Sequence, residues 1–303
     1  IKPMRNNELF QHSSNKGLYY IIVLASTFLQ GSSFVATKLL LTTMSPLWLA
    51  GIRFLIAALS LMPFLVYRYQ IQAFVIPHFS VWIKIIAIGL FQTAGVMIFL
   101  NIGLQYTTAA TAAIIMASNP LLVAILARWL LGETIGYRAL IGLLLAFFGV
   151  VICIGLMQSA HLGKGVLFII LASVSWAVAT IINKKSQLSL NPWIVTFWQM
   201  LIGSLWIIVA ASLSHQPFTL PNSDYGWAVL VWLAIPASTI AMGLWFAALN
   251  IGGATHTSGF LFLCPLFSAL LSYLIFNTQL TSHEMIGGSM IGLGIYLLSR
   301  YRQ

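Results

Sequence analysis

Charge is what this sequence has least of. Four acidic residues occur in 303, namely Glu8, Glu133, Asp224 and Glu284, and charged residues of both signs make up 6%. A water-soluble domain carries about a quarter. So thin a polar cover excludes a chain dissolved in water and makes lipid its solvent. The 14 Lys and Arg give a formal charge of +10. They form no basic cluster interleaved with aromatics, which excludes a nucleic-acid surface; inner-face loops of membrane proteins collect such residues. Cysteine is nearly absent too. Cys153 and Cys264 both lie in apolar runs, so they read as small packing residues and exclude a disulfide framework. The six histidines are scattered without metal-ligand spacing, and no acidic residue lies in the middle of an apolar run. Zinc chemistry and an aspartyl intramembrane protease are thereby disfavoured. The expectation is a protein that is no enzyme and uses no cofactor, no metal and no nucleic acid.

Apolar runs are what the sequence has in abundance. A membrane span needs about 20 such residues. Runs of that size occupy 18–41, 46–67, 80–101, 107–131, 137–156, 164–183, 190–212, 226–249, 255–276 and 282–299. They are continuously apolar rather than alternating, which predicts helices and not barrel strands. The first run is too long for a signal-peptide core and has no small-residue cleavage site after it, so it is expected to remain as a span. Basic residues set the orientation. With the N-terminus inside, the inner side collects Lys2, Arg5, Lys16, Arg68, Lys84, Arg128, Arg138, Lys184, Lys185, Arg300 and Arg302, and the outer side only Lys38, Arg53 and Lys164.

The chain also repeats itself. "NPLLVAILARWLLGETIGYRALIG" from Asn119 aligns with "CPLFSALLSYLIFNTQLTSHEMIG" from Cys264, pairing Pro120 with Pro265, Gly142 with Gly287 and Gly149 with Gly294. Pro46 likewise pairs with Pro192, and Arg53 with Gln199. Each half holds five runs, an odd number, so the second half is expected to enter the membrane upside down. The predicted fold is therefore an all-α membrane protein of ten transmembrane helices in two inverted five-helix repeats, 18–156 and 164–299, after a cytoplasmic segment 1–17. Secondary transporters recur on this plan, with the substrate site between the halves.

The stretches "GSSFVATKLL", "SPLWLAGIRFLIAAL" and "LLGETIGYRALIGLLLAFFGVVI" resemble the first EamA repeat of the drug/metabolite transporter superfamily, and "SWAVATIINKK" to "IGGSMIGLGIYLL" resembles the second. The most specific pieces are Lys38, Arg53 and Gly132-Glu133; the second half departs from them with Gln199 and Asn277-Thr278. The resemblance implies a ten-helix metabolite exporter, often of amino acids or related compounds. Its cargo stays open between amino acids and other small solutes such as drugs or nucleotide-type metabolites, and a channel remains an alternative.

Candidate substrate-binding residues are the polar and aromatic side chains that sit deep in these runs. Lys38 lies about three residues from the outer end, within snorkelling reach of water. Arg53 lies about 10 Å in at the helical rise and has no carboxylate nearby in sequence, so it must meet a cavity, backbone carbonyls or an anionic ligand. Gln30, Gln92, Asn119 and Gln199 lie near mid-membrane with Trp176 and Trp198, away from the interfacial belts where Trp collects. Aromatic walls with a few placed amides suit a small-molecule pocket, whereas the plainer reading of each amide is an interhelical hydrogen bond. Pro120 and Pro265, near the middles of their runs, are expected to interrupt two helices at matching positions. The glycines of the fifth and tenth runs, Gly142, Gly149, Gly288 and Gly292, read as close-packing surfaces.

Glu133 and Glu284 fall at run ends, so no span offers a mid-membrane carboxylate as a proton site and His256 is the sole substitute. This favours facilitated diffusion or exchange. The expected partners are a small-molecule substrate and the bilayer, with the chain a monomer or homodimer in the cytoplasmic (inner) membrane. Both termini are predicted to be cytoplasmic. A reporter fused after Gln303 should be active only in the form that works inside the cell, and an outside-only signal would overturn the orientation.

Overall fold

The computed structural model describes residues 6–70, 74, 78–132, 136–153, 163–186, 188, 190–252 and 259–301. Among them the chain is helical throughout, with no strand. In chain order the helices are α1 (Asn6–Leu40), α2 (Pro46–Tyr69), α3 (Phe79–Ile88), α4 (Val96–Tyr106), α5 (Ala109–Ala117), α6 (Asn119–Leu131), α7 (Tyr137–Cys153), α8 (Lys164–Ser186), α9 (Pro192–Leu213), α10 (Asp224–Ala234), α11 (Ala241–Gly252), α12 (Leu263–Phe276) and α13 (Ser282–Tyr301). Seven helical segments are long and apolar enough to cross a membrane: Gly17–Leu40, Pro46–Tyr69, Phe79–Tyr106, Ala109–Leu130, Lys164–Asn183, Pro192–Leu213 and Asp224–Ala248. Leu140–Cys153 and Leu263–Phe276 are apolar but shorter.

Helix starts follow local chemistry. Pro46 and Pro192 open α2 and α9, where their missing N–H has no intrahelical partner to lose. The Asn191 side chain accepts from Trp193 N at 2.9 Å, and Ser223 Oγ accepts from Gly226 N at 3.1 Å, each supplying an N-cap. α6 stops at Gly132, whose φ of 69° is left-handed. Large apolar side chains such as Ile21, Leu59 and Leu274 face outward, which fits a hydrocarbon surround and not water.

Three interruptions break the apolar runs, and the two π-helical ones were not foreseen in the sequence. A π-helical stretch, Gly89–Gly95, joins α3 to α4, and a second, Ile235–Ile240, joins α10 to α11. The fourth apolar run is two helices that meet at Ser118. Pro120 and Pro265 were expected to interrupt their helices; a break does fall just ahead of each, so that each lies in the first turn of the new helix, where proline costs little. The 3₁₀ turn Gly259–Phe262 precedes the second of them.

Helix partners occur in matched sets. α2 packs antiparallel on α9: Leu47 and Ala50 meet Ile207 and Ala211, while Phe54, Leu61 and Leu65 meet Phe197 and Met200. α7 packs on α13. α8 contacts α4 and α6, as α1 contacts α11 and α12. The α7–α13 contact is a glycine seam. A β-carbon on Gly149 would lie 2.7 Å from the Gly287 carbonyl oxygen, and one on Gly294 would lie 2.5 Å from that of Gly142. Of the glycines read as packing surfaces, Gly142 and Gly149 are in this seam. Gly288 and Gly292 instead line a cavity beside it.

That seam makes a prediction. Gly149→Val should overpack backbone against backbone and destabilise the protein by about 1–3 kcal/mol or prevent folding. Gly288→Ala, whose added carbon would find its nearest neighbour at 3.7 Å, should be tolerated. Thermal midpoints from size-exclusion chromatography in detergent would compare the two.

Candidate functional site

The most buried cation sits against one of the π-helical stretches. Arg53 on α2 is 4% exposed, and its Nε donates to Ser238 Oγ at 3.0 Å. Ser238 in turn donates to Leu233 O at 2.8 Å, five residues back, closing the widened turn. Thr239 Oγ1 donates to Ala57 O at 3.0 Å, tying the same stretch to α2 one turn below Arg53. The second stretch mirrors this contact at a sequence offset of 146. Gln92 stands where Ser238 stands, Gln199 where Arg53 stands, Thr93 where Thr239 stands, and Gly203 where Ala57 stands. The backbone agrees: a β-carbon on Gly89 would lie 3.1 Å from Gln199 O, and Thr93 packs directly on Gly203. Ser175 Oγ from α8 donates to Phe91 O at 2.7 Å, satisfying a carbonyl within the stretch.

The two matched contacts differ in chemistry. Among the described residues, Arg53 has a hydroxyl partner and no carboxylate. Gln199 is buried and Gln92 half-buried, and no hydrogen bond of either carboxamide appears among the described residues. Beside them Trp198 keeps its Nε1 buried without an acceptor, while its ring packs edge-on to Trp82 at 4.8 Å and to Phe197 at 5.2 Å. The guanidinium edge of Arg53, the two amides and the indole N–H are each free among the described residues to donate to an oxygen-bearing ligand.

The other sequence candidates lie elsewhere. Asn119 Nδ2 donates to Ser173 O at 2.7 Å, bridging α6 and α8, and half-buried Trp176 is one turn further along α8 among apolar neighbours. Gln30 Nε2 donates to Ser26 Oγ at 3.0 Å, and Ser26 donates to Ala241 O at 2.8 Å. The Asn119 and Ser26 bonds are interhelical bonds of the plainer kind, and the Gln30 bond stays within α1. Lys38 Nζ donates to Leu104 O at 2.7 Å and to Thr107 O, so its ammonium caps the carbonyl end of α4. Two cavities, of about 290 and 320 Å³, open among the described helices. None of the eight candidates lines either one.

Glu284 was passed over as a helix-end residue, and it is buried at 6% exposure. Its Oε2 accepts from Thr281 N at 2.8 Å and Thr281 Oγ1 at 3.0 Å, while Glu284 N donates back to Thr281 Oγ1 at 3.3 Å. That reciprocal cap was readable in the run Thr281-Ser-His-Glu284. Its second oxygen was not readable: Oε1 accepts from Thr108 Oγ1 at 3.3 Å and from Thr111 Oγ1, on a different helix. Glu284 thus lies at a helix end, as the sequence indicates, and is buried there and tied to a second helix. Glu133 and His256 lie outside the described residues.

Helices clad in apolar side chains, with buried polar groups gathered where helices are interrupted, define a multi-pass membrane protein of the transporter class. The chain belongs to the EamA-like transporter family, whose model matches residues 17–155 and again 163–300. An uncharacterized transporter of Synechocystis is 30% identical, over 93% of this chain and 90% of its own length. A WAT1-related chloroplast protein of Arabidopsis thaliana is 28% identical, over 97% of this chain and 72% of its own. A probable amino-acid metabolite efflux pump of Escherichia coli is 24% identical, over 91% and 93%. A crystal structure 19% identical in sequence shares the fold, at a TM-score of 0.65 over 95% of this chain and 98% of that one.

Lys38→Met keeps the length of the side chain and removes its donors. It should leave the α4 carbonyls of Leu104 and Thr107 without their ammonium partner and destabilise the fold by about 1–3 kcal/mol. A thermal midpoint equal to that of the unchanged protein would show the cap to be idle.

Proposed function

We propose that the protein is a secondary transporter that exports small metabolites bearing a carboxylate, amino acids or their relatives, across the cytoplasmic membrane by alternating access. In this reading ten transmembrane helices form two inverted five-helix repeats, 18–156 and 164–299, with both termini in the cytoplasm. The matched helix pairings, the two π-helical stretches and the correspondence of Thr93–Gly203 with Thr239–Ala57 support the inverted plan. The basic residues of the predicted inner loops support the orientation. The amino-acid metabolite efflux named for the Escherichia coli relative supports the cargo class.

The observation that carries the reading is Arg53, buried on α2 with one hydroxyl partner and no acidic one. Arg remains charged in proteins, and a buried charge persists where a counter-charge or a wet cavity meets it. A cargo carboxylate supplies that counter-charge through the guanidinium edge that Ser238 leaves free. Gln92 and Gln199, at the matched contact, supply amide groups for the polar remainder, and Trp198 an aromatic wall. Gln30, Asn119 and Trp176 hold the helices that frame the path, and Lys38 locks its end. A purely cationic cargo meets like charge at Arg53 and is disfavoured.

Proteoliposomes and a panel of labelled amino acids and related metabolites test this. Arg53→Gln, which places in the first half the residue already present at Gln199, should cut transport of the carboxylate-bearing cargo by about tenfold or more, corresponding to at least ~1.4 kcal/mol of lost interaction. Unchanged transport of every such cargo would remove Arg53 from the site.

A further inference from the structure

Glu284 is a buried titratable group that the cargo site does not use. Capping α13 needs its Oε2 alone, and that oxygen receives the Thr281 N–H and hydroxyl. The other oxygen is turned to a second helix, where Thr108 and Thr111 hydroxyls donate to it. The two hydroxyl oxygens are themselves 2.8 Å apart, and either can be the donor between them. Thr108 is also the N-cap of α5, accepting from Thr111 N at 3.0 Å. The carboxylate is thus held by neutral donors only, at the starts of two helices, with no cation bonded to it among the described residues.

We propose that Glu284 is a proton-binding site that couples cargo movement to proton movement, an inference that rests on the transporter reading above. The cage suits both charge states of the carboxyl. Ionised, it accepts from both threonine hydroxyls. Protonated on Oε1, it donates to one of them, and that hydroxyl turns its hydrogen toward the other across their 2.8 Å contact. Fixed N–H donors or a lysine at the same place would forbid the second state, because no acceptor would meet the acid proton. A sodium ion is a poorer occupant, since hard cations take about six oxygen ligands and three oxygens converge here. The proton reaches and leaves by way of the 320 Å³ cavity between α5, α12 and α13, on which Glu284 and Ser289 are the polar side chains.

Uptake also changes what joins the helices. The ionised carboxylate bonds α13 to α5 by charge-assisted hydrogen bonds, roughly twice as strong as neutral ones. Loading a proton weakens the bond between a first-half and a second-half helix, at the end of the bundle where Lys38 holds the same α4–α5 turn from the other side. Charged and titratable groups around the site are few. α7 brings the buried Cys153 thiol, close enough to feel the Glu284 charge; α1 brings Lys38, spent on carbonyls; α13 brings His283. α5 and the turn Gly259–Phe262 bring none, and α12 brings an exposed Tyr273 and, at its far end, Cys264.

The test uses the full chain in lipid nanodiscs, with infrared difference spectra recorded through a pH titration. The unchanged protein should show a protonated-carboxyl band, shifting in heavy water, that Glu284→Gln lacks; Gln preserves the N-terminal cap. Thr111→Val removes one of the two hydroxyls on Oε1 and should shift the frequency of that band, which reports the hydrogen bonding of the carboxyl. It also serves as the readout should the Gln variant not fold. In proteoliposomes under an imposed pH gradient, the unchanged protein should accumulate a panel amino acid. Glu284→Gln should lose that accumulation and keep exchange of the labelled for the unlabelled amino acid. A panel on which even the unchanged protein is inactive would fail the cargo reading and leave the spectra to decide Glu284. Identical titrations for the unchanged protein and Glu284→Gln, or gradient-driven accumulation surviving in that variant, would overturn the proposal.

Discussion

The hydrocarbon core of a membrane offers no hydrogen bonds, so every backbone group that leaves its helix must find a partner inside the protein. That constraint governs where the polar side chains of this chain go. At several interruptions among the described residues, a side chain supplies the missing bond. Lys38 takes the carbonyls at the end of α4, and Asn101 takes Pro46 O at 3.1 Å at the start of α2. Ser175 bonds into the first π-helical stretch, and Ser238 closes the second. A chain with 6% charged residues spends them sparingly, and several answer to this demand before any ligand is considered.

The two halves share packing and diverge in chemistry. Close approach of helices needs small residues at fixed depths, and both halves supply them: Gly203 and Ala57 meet a threonine of the opposite half's π-helical stretch, and Gly142 and Gly149 meet Gly294 and Gly287. Charge is not duplicated. Arg53 faces Ser238, whereas Gln199 faces the stretch bearing Gln92. Glu284 has Ala139 at its matched position. Symmetric packing gives a scaffold two related conformations of similar energy. Charge is instead split between the halves, with the buried Arg53 in the first and the buried Glu284 in the second.

A transporter must also let go. The junction between α4 and α5 is held by an ammonium from α1 on its carbonyl side and by a carboxylate from α13 on its amide side, each with the polarity that helix ends favour. A backbone turn clamped from both sides moves with whichever element releases last. Of the two clamps, the ammonium bonds carbonyls and the carboxylate bonds hydroxyls. Hydroxyls can reverse the direction of a hydrogen bond and carbonyls cannot. The carboxylate side is therefore the one that can loosen without leaving a buried group unpaired.

The sequence alone determined that this chain is helical, lives in lipid and repeats itself, because hydrophobic run length and internal alignment are local, additive signals. It also singled out Arg53, since a cation deep in an apolar run is rare enough to stand out. It matched Gln199 to Arg53 across the halves, but could not say that Gln92 answers to Ser238 in a π-helical stretch. The π-helical stretches were missed because a widened turn leaves the apolar period nearly intact. Lys38 was read as snorkelling to water when it caps a neighbouring helix, and Glu284 was placed at a helix end without the bonds that tie it to Thr108 and Thr111. Which helices stand beside Lys38, Arg53 and Glu284 is a matter of contacts between residues far apart in the chain. Composition and period do not carry that information, so it came from the tertiary structure.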